Sequence, residues 1–386
     1  MTKSFSYSYK TFVSLHHNLR NKFIMMESFH IDNFKNLKSL SIDRLRRVNL
    51  IVGKNNVGKS TLLEAISIYL ANASEEHLRK LLANRGEDIV RNGDIDAKII
   101  KAHYLSLYNG RKETYKRLDN SIIVGEGKYG TYIQQVYIGE LTEIDDNGKR
   151  KQVTKIMYED DMPKDMSDFS NVSSGLLIVN QDNHFLIRYD NRHSQTAIVK
   201  DICPFQYVHT IDFNTDDNAI LFDKIAMTPE EKYIIQALNI INPNIEKLNF
   251  LNADDIKGRR IPLVSIGDKR YRLSSMGDGI NRILTIILAL LNCKDGVLLL
   301  DEFETGLHYS VQDQLWEIIF MLSEELNVQV FVTTHSNDCV SSFARTNKQG
   351  VGQLIRLVNH DGDIVPTILD DIEELRFASD NSVEMR

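Results

Sequence analysis

The clearest hydrophobic pattern lies toward the C-terminal end, where apolar blocks switch between two periodicities. Ile280, Ile283, Leu284, Ile287, Leu288 and Leu291 recur at helical spacing and predict a buried helix. Gly296-Val297-Leu298-Leu299-Leu300-Asp301-Glu302 follows, a continuous apolar run ending in two carboxylates, and predicts a strand buried on both faces. Val311, Leu315, Ile318, Ile319 and Leu322 return to helical spacing. Val328 to Thr333 is a second apolar strand, and it runs into Thr334-His335-Ser336. Helices alternating with such strands predict α/β architecture with a mostly parallel sheet from about residue 261.

The N-terminal half carries a related pattern. A strand is expected from about Met26 to Ile31, another at Arg47 to Val52, a helix at Thr61 to Leu70 and a second at Glu75 to Leu82. Between residues 101 and 210 the texture changes. Thr131 to Ile138 and Gly175 to Val179 predict strands, with turn signals at Asn109-Gly110 and Asp146-Asn147-Gly148. The polar stretch Asp145 to Ser174 predicts a loop or flexible excursion, and residues 229–241, opening at Pro229, predict a helix. Neither an internal repeat nor a heptad run long enough for a coiled coil is present in the sequence.

Composition changes this picture little: 42% hydrophobic and 26% charged residues are ordinary for a globular chain of 386 residues. No apolar run of about eighteen residues is present, so no membrane partner is expected. Cys203, Cys293 and Cys339 are odd in number, far apart and in apolar surroundings, which predicts reduced core residues and a cytoplasmic protein. The net charge of −7 is unevenly spread: residues 1–60 hold eleven Lys/Arg against three Asp/Glu, and residues 361–386 eight Asp/Glu against two Arg. Such asymmetry fits a nucleic-acid footprint at the basic end or simply a solvated face. Met1 to Lys22 is basic and lacks the apolar core of a signal peptide; residues 1–25 read as a disordered lead or as residues before a true start at Met25 or Met26.

The chemistry begins at Gly53-Lys54-Asn55-Asn56-Val57-Gly58-Lys59-Ser60, a complete Gly-x-x-x-x-Gly-Lys-Ser phosphate loop between a predicted strand and a predicted helix. Gly53 and Gly58 let the backbone curl so that amides face phosphate oxygens, and the helix N-terminus adds to that field. Lys59 would reach the β/γ-phosphates and Ser60 would hold Mg²⁺. In parallel sheets, ligand groups gather beyond the carboxyl ends of strands. Two more predicted strand ends deliver apt residues: Asp301 for Mg²⁺, Glu302 as general base, and His335 for the γ-phosphate or the attacking water. Taken singly, paired acids also fit a solvated strand end and a lone histidine a structural role. Leu273-Ser274-Ser275-Met276-Gly277-Asp278-Gly279 adds a second small-residue turn before a helix N-terminus, another anion-binding concavity.

In this order of motifs the chain resembles the ABC-type ATPases of the RecF, SMC and OLD (overcoming lysogenization defect) group. The resemblance covers roughly residues 26–100 and 260–340. It implies that ATP and Mg²⁺ are bound at Gly53, Asn55, Asn56, Gly58, Lys59, Ser60 and Thr61, with Lys35 of Asn33-Phe34-Lys35-Asn36-Leu37 nearby. Ser275, Gly277 and Gly279 would be a signature acting on the ATP of a second subunit, and Glu304-Thr305-Gly306-Leu307-His308 the D-loop that meets that subunit. Phe303 and Tyr309 stand where the family usually has prolines; Gln134, Gln135 and Gln206 are candidates for its Q-loop glutamine. The implied organisation is a lead (1–25), an ATPase domain in two parts (26–100 and 261–345), a strand-rich insertion (101–260), and C-terminal strands with an acidic tail (346–386).

SMC-like coiled coils are missing from the sequence. The acidic Toprim nuclease of OLD proteins is not expected either, since only about fifty residues follow His335 and Asn359 to Val365 reads as a hairpin turn. The function implied is a nucleotide-gated homodimeric clamp, the sensor or regulatory ATPase of a bacterial antiphage system with a separate nuclease or toxin effector. A RecF-like, DNA-binding repair ATPase is the alternative. A third reading makes the insertion the working surface, binding a protein trigger.

Overall fold

A computed structural model describes residues 25–86, 96–117, 121–126, 129–144, 148–180, 183–190, 201–210, 215–252, 260–347, 350–371, 373, 374 and 376. The expectations for Met1 to Lys22 and for Asp146-Asn147 lie outside them.

A six-stranded sheet forms the centre, in the order β16 (Asp363–Leu369), β15 (Gly352–His360), β3 (Val48–Val52), β14 (Gln329–Thr333), β13 (Val297–Leu300), β9 (Phe205–Val208). All its pairings are parallel except the edge hairpin β15–β16. Strands β3, β13 and β14 are buried along their whole length, which is why their sequences read as unbroken apolar runs. Alternate residues feed two different cores. Val48, Leu50, Val52, Leu298, Leu300, Val330 and Val332 pack toward helices α4 (Thr215–Asp223), α5 (Glu231–Leu238), α6 (Asp278–Leu291), α7 (Tyr309–Glu325) and α8 (Asn337–Thr346). Ile51, Val297, Leu299 and Phe331 pack toward α1 (Lys59–Leu70), α2 (Glu75–Asn84), α3 (Ala97–Leu105) and a second sheet. At about 2 kcal/mol per fully buried aliphatic side chain, this two-sided burial is the main stabilising term.

The second sheet is antiparallel and seven-stranded. Its path is β2 (Leu37–Ile42), β1 (Phe29–Phe34), β4 (Ile122–Glu126), β5 (Tyr129–Ile144), β7 (Phe169–Val179), β8 (His184–Arg188), with β6 (Arg150–Met157) joined to β5. The strands expected near Met26, at Thr131 to Ile138 and at Gly175 to Val179 are therefore all present, in one sheet. The excursion expected at Asp145 to Ser174 is a correction: it contains β6 and the first half of β7. Strand β6 is exposed on both faces for most of its length, so no apolar alternation marked it. A three-stranded sheet, β10 (Lys247–Asn252), β11 (Arg260–Ile266) and β12 (Lys269–Arg272), leads through a short 3₁₀ turn, Leu273–Met276, into α6.

The predicted turn at Asn359 to Val365 is the β15–β16 hairpin, with Asp361 (φ 53°) and Gly362 (φ 97°) at its tip. The three cysteines are buried and form no disulfide. Among the described residues no helix is long and apolar enough to cross a membrane.

One packing contact carries a pH dependence. His77, on α2, packs edge-on against Phe205 at 5.7 Å and meets the Ser67 hydroxyl at 2.9 Å. Burial, with smaller effects from Lys80 and His209, pushes its imidazole from 6.5 down to about 4. The unfolded chain therefore binds a proton near pH 6.5 that the folded chain refuses, and stability falls as pH drops from 6.5 toward 4. His77→Gln is expected to remove about 2 kcal/mol of that loss, read as a smaller drop in unfolding free energy between pH 7 and pH 4.5.

Candidate functional site

The phosphate loop leaves β3 and turns into α1 through backbone that glycine adopts most readily. Gly53 has φ +150°, and a Cβ there would lie 2.6 Å from the Leu357 carbonyl oxygen. Gly58 caps α1 at φ +99°, and a Cβ there would meet Leu37 at 2.8 Å. Neither a side-chain cap nor an acidic residue in the first turn occupies the start of α1. An uncapped helix N-terminus of this kind is suited to an anion. Lys54, Asn55 and Asn56 are exposed at the tip of the loop, whereas Lys59 and Thr61 are buried beneath it. The Lys59 ammonium donates to the carbonyls of Gly53 (2.7 Å) and Lys54 (3.0 Å), inside the loop itself. Burial pushes it down to about 8, against the opposing pull of Asp301, Glu304 and Glu302.

The ends of β13 and β14 meet this loop. Asp301, 8% exposed, accepts hydrogen bonds from Ser60 Oγ (3.0 Å) and Thr333 Oγ1 (2.5 Å) on the same carboxylate oxygen. A hydroxyl and a carboxylate in contact are the hard oxygen donors that Mg²⁺ prefers, so the residues present fit that ion. Glu302 follows in left-handed backbone (φ 48°), an unusual state for this residue type that turns its side chain out of the strand line. His335 Nε2 lies 3.7 Å from Glu302 Oε1, both side chains about a third exposed. The two could contact one water from two sides. The structure thus brings together Gly53–Thr61, Asp301, Glu302 and His335.

Lys35 reaches the same neighbourhood by another route. It sits in the β1–β2 turn, whose Asn36 amide donates to the Asn56 carbonyl at 3.2 Å. Its ammonium pairs with Glu64 of α1 at 2.7 Å, and Arg85 donates to the other oxygen of that carboxylate. Ser275, Gly277 and Asp278 are exposed at the N-terminus of α6, where Gly277 takes φ +97°. Gly279 faces the segment 304–308 of its own chain: a Cβ there would lie 2.9 Å from the Gly306 carbonyl oxygen.

Residues 48–340 match the model of the AAA domain family described as putative AbiEii toxin, type IV toxin–antitoxin system. The chain belongs to this family. A Helicobacter pylori protein named ATP/GTP phosphatase is 26% identical over 340 residues, 82% of this chain and 86% of that one. The DNA replication and repair protein RecF of Clostridium botulinum (strain Loch Maree) is 24% identical over 239 residues, 61% of this chain and 60% of its own. Among solved structures, an Smc head bound to the C-winged helix domain of ScpA aligns at 13% identity and a TM-score of 0.49, covering 92% of this chain and all of that one. The family match and the phosphatase relative fit the phosphate-loop nucleotide site expected from the sequence.

One residue of this site, Arg282, was given no role in the sequence reading, and Glu304 was read only as part of the D-loop. Arg282 of α6 is fully buried, and its guanidinium donates to the backbone carbonyls of Asp301 (2.7 Å), Glu302 (3.0 Å) and His209 (3.1 Å). Burial lowers it to about 10, so it stays charged at neutral pH. A lone arginine inside the apolar run Ile280 to Leu291 was the available signal. Glu304 accepts from Thr334 Oγ1 (2.7 Å) and the His335 amide (2.6 Å). Of the glutamine candidates, Gln134 and Gln135 lie on β5 in the seven-stranded sheet. Gln206 pairs with Leu298 in the middle of β9, and the residue that leaves β9 is His209.

Phe303 packs flat on Trp316 at 4.4 Å and donates its amide to the Thr333 carbonyl at 3.0 Å, a bond proline could not make. Arg282→Ala is expected to lower unfolding free energy by about 3 kcal/mol, because three interior carbonyls lose a charged donor. Urea denaturation checks it. Arg282→Lys, a point charge in place of a fork, should fold and yet hydrolyse ATP about ten-fold more slowly.

Proposed function

We propose that the chain works as a head-to-tail homodimer closing on two ATP molecules. Each would lie between the phosphate loop of one subunit and Ser275, Gly277 and Gly279 of the other. Ser60 and Asp301 would hold Mg²⁺, which supplies charge neutralisation on the phosphates when bound. Asn55, Asn56, Gly53, Gly58, Lys59 and Thr61 would cradle the triphosphate, with Lys35 supporting the loop from behind through Glu64. Glu302 would take the proton of the attacking water and His335 would orient it.

One observation carries this reading. The phosphate loop, Asp301, Glu302 and His335 are assembled within one chain, whereas Ser275 and Gly277 stand exposed at the start of a 14-residue helix. A second anion-binding helix end directed to solvent is what a composite site needs. ATP would then act through its higher affinity for the closed dimer, shifting a population between two states. As biological role we favour the sensor or regulatory ATPase of a bacterial antiphage system acting with a separate nuclease or toxin. The toxin–antitoxin wording of the family description supports that direction.

Glu302→Gln should accumulate an ATP-bound dimer and Lys59→Ala should bind no ATP. Light scattering at saturating ATP checks the first and nucleotide titration the second; a monomeric Glu302→Gln protein overturns the clamp.

A second reading, a DNA-binding ATPase, is favoured by β12. Its Lys269, Arg270, Tyr271 and Arg272 are all exposed on an edge strand that leads directly into the Ser275 turn. Duplex DNA would then stimulate hydrolysis, with the effect lost by about 200 mM salt. Stimulation that persists unchanged at that salt counts against it.

A further inference from the structure

Glu304 lies two residues beyond Glu302, and its two carboxylate oxygens are committed separately. Oε1 accepts the His335 amide at 2.6 Å, and Oε2 accepts the Thr334 hydroxyl at 2.7 Å. The loop leaving β14 is thereby tied to the loop leaving β13 by one side chain. Around it run two further ties: the Glu302 amide donates to Thr333 Oγ1 (2.9 Å), and Thr305 Oγ1 donates to Glu302 Oε2 (3.2 Å). Both members of the 3.7 Å pair Glu302–His335 therefore hang on the short segment 302–305. Glu302 is held through its own backbone and Thr305, His335 through Glu304.

That segment does not end in the interior. Gly306 and His308 are exposed, Gly306 turns at φ +77°, and its carbonyl lies against Gly279 beside the exposed Ser275–Gly277 turn. A displacement of Gly306 has a short covalent path to Glu304 and from there, by two hydrogen bonds, to the backbone carrying His335. Charge-assisted bonds of this length resist stretching more than neutral ones, so the connection is stiff.

We propose that Glu304 is a positioning residue that sets His335 against Glu302. Glu304 touches neither nucleotide nor water in this role. It fixes the distance between two side chains that do, and a misplacement of about 1 Å at such a pair costs on the order of a hundred-fold in rate.

The test compares Glu304→Ala, Glu304→Asp and Glu304→Gln with wild type in the full chain, using ATP hydrolysis and binding of a fluorescent ATP analogue. Glu304→Ala is expected to lose about a hundred-fold in kcat with analogue affinity within about three-fold of wild type. Glu304→Gln keeps one acceptor for the His335 amide and should recover about ten-fold of that loss. Glu304→Asp is too short to serve both partners and should stay near the alanine variant.

Wild-type kcat in Glu304→Ala, or a fall in affinity parallel to kcat, overturns the positioning role. Should the alanine variant fail to fold, the glutamine and aspartate variants decide the same point by their order.

Discussion

Asp301 is the residue on which the site geometry depends. Its carboxylate is almost fully buried and takes hydroxyl donors from Ser60 of α1 and Thr333 of β14. Its amide donates to Val208 at the end of β9, and its carbonyl accepts from Arg282 of α6. One residue thus joins four elements that the chain order separates widely. A buried carboxylate deprived of its donors costs several kcal/mol, so these elements cannot drift apart independently. Lys59 and Arg282 both lie in the field of Asp301, Glu302 and Glu304, which holds both cations above the values that burial alone would give.

This arrangement explains which parts of the site were legible in the sequence. Strands β3, β13 and β14 lie in the middle of a parallel sheet, buried on both faces, and so announce themselves as apolar runs. Their carboxyl ends must carry the polar groups, which made Lys59, Ser60, Asp301, Glu302 and His335 readable by position alone. The connections between strand ends were less so. Arg282 acts on carbonyls of residues 73, 19 and 20 positions away, a contact no local pattern encodes. Its presence in an otherwise apolar helix signalled a buried partner without naming it.

Elsewhere the limit was the absence of a one-sided core. Strand β6 pairs along β5 at Tyr137 to Ile144 but buries little, so its sequence alternates in no useful way. What decides its conformation is the hydrogen-bonding edge that the long strand β5 offers, a tertiary cause. The three glutamines show the reverse problem. Gln134 and Gln135 sit on a strand the sequence predicts and Gln206 on one it does not, and where each lies follows from sheet membership and register.

Phe303 holds the loop after β13 where the resemblance of its motifs implies a proline. Proline stiffens a loop by fixing φ and removing a donor. Phe303 achieves stiffness by the opposite means: its amide closes onto Thr333 and its ring stacks on Trp316, which in turn meets Phe343 of α8 edge-on at 5.1 Å. Phe303, three residues beyond β13, is thereby anchored both to the neighbouring strand and to the helical core. Glu302 lies between that anchor and the Asp301 network and takes left-handed backbone. Gly279 then admits the start of α6 to within van der Waals contact of the same segment, a separation that a side chain at position 279 would forbid. The exposed start of α6 is in this way packed closely against the segment that follows Glu302 and Phe303.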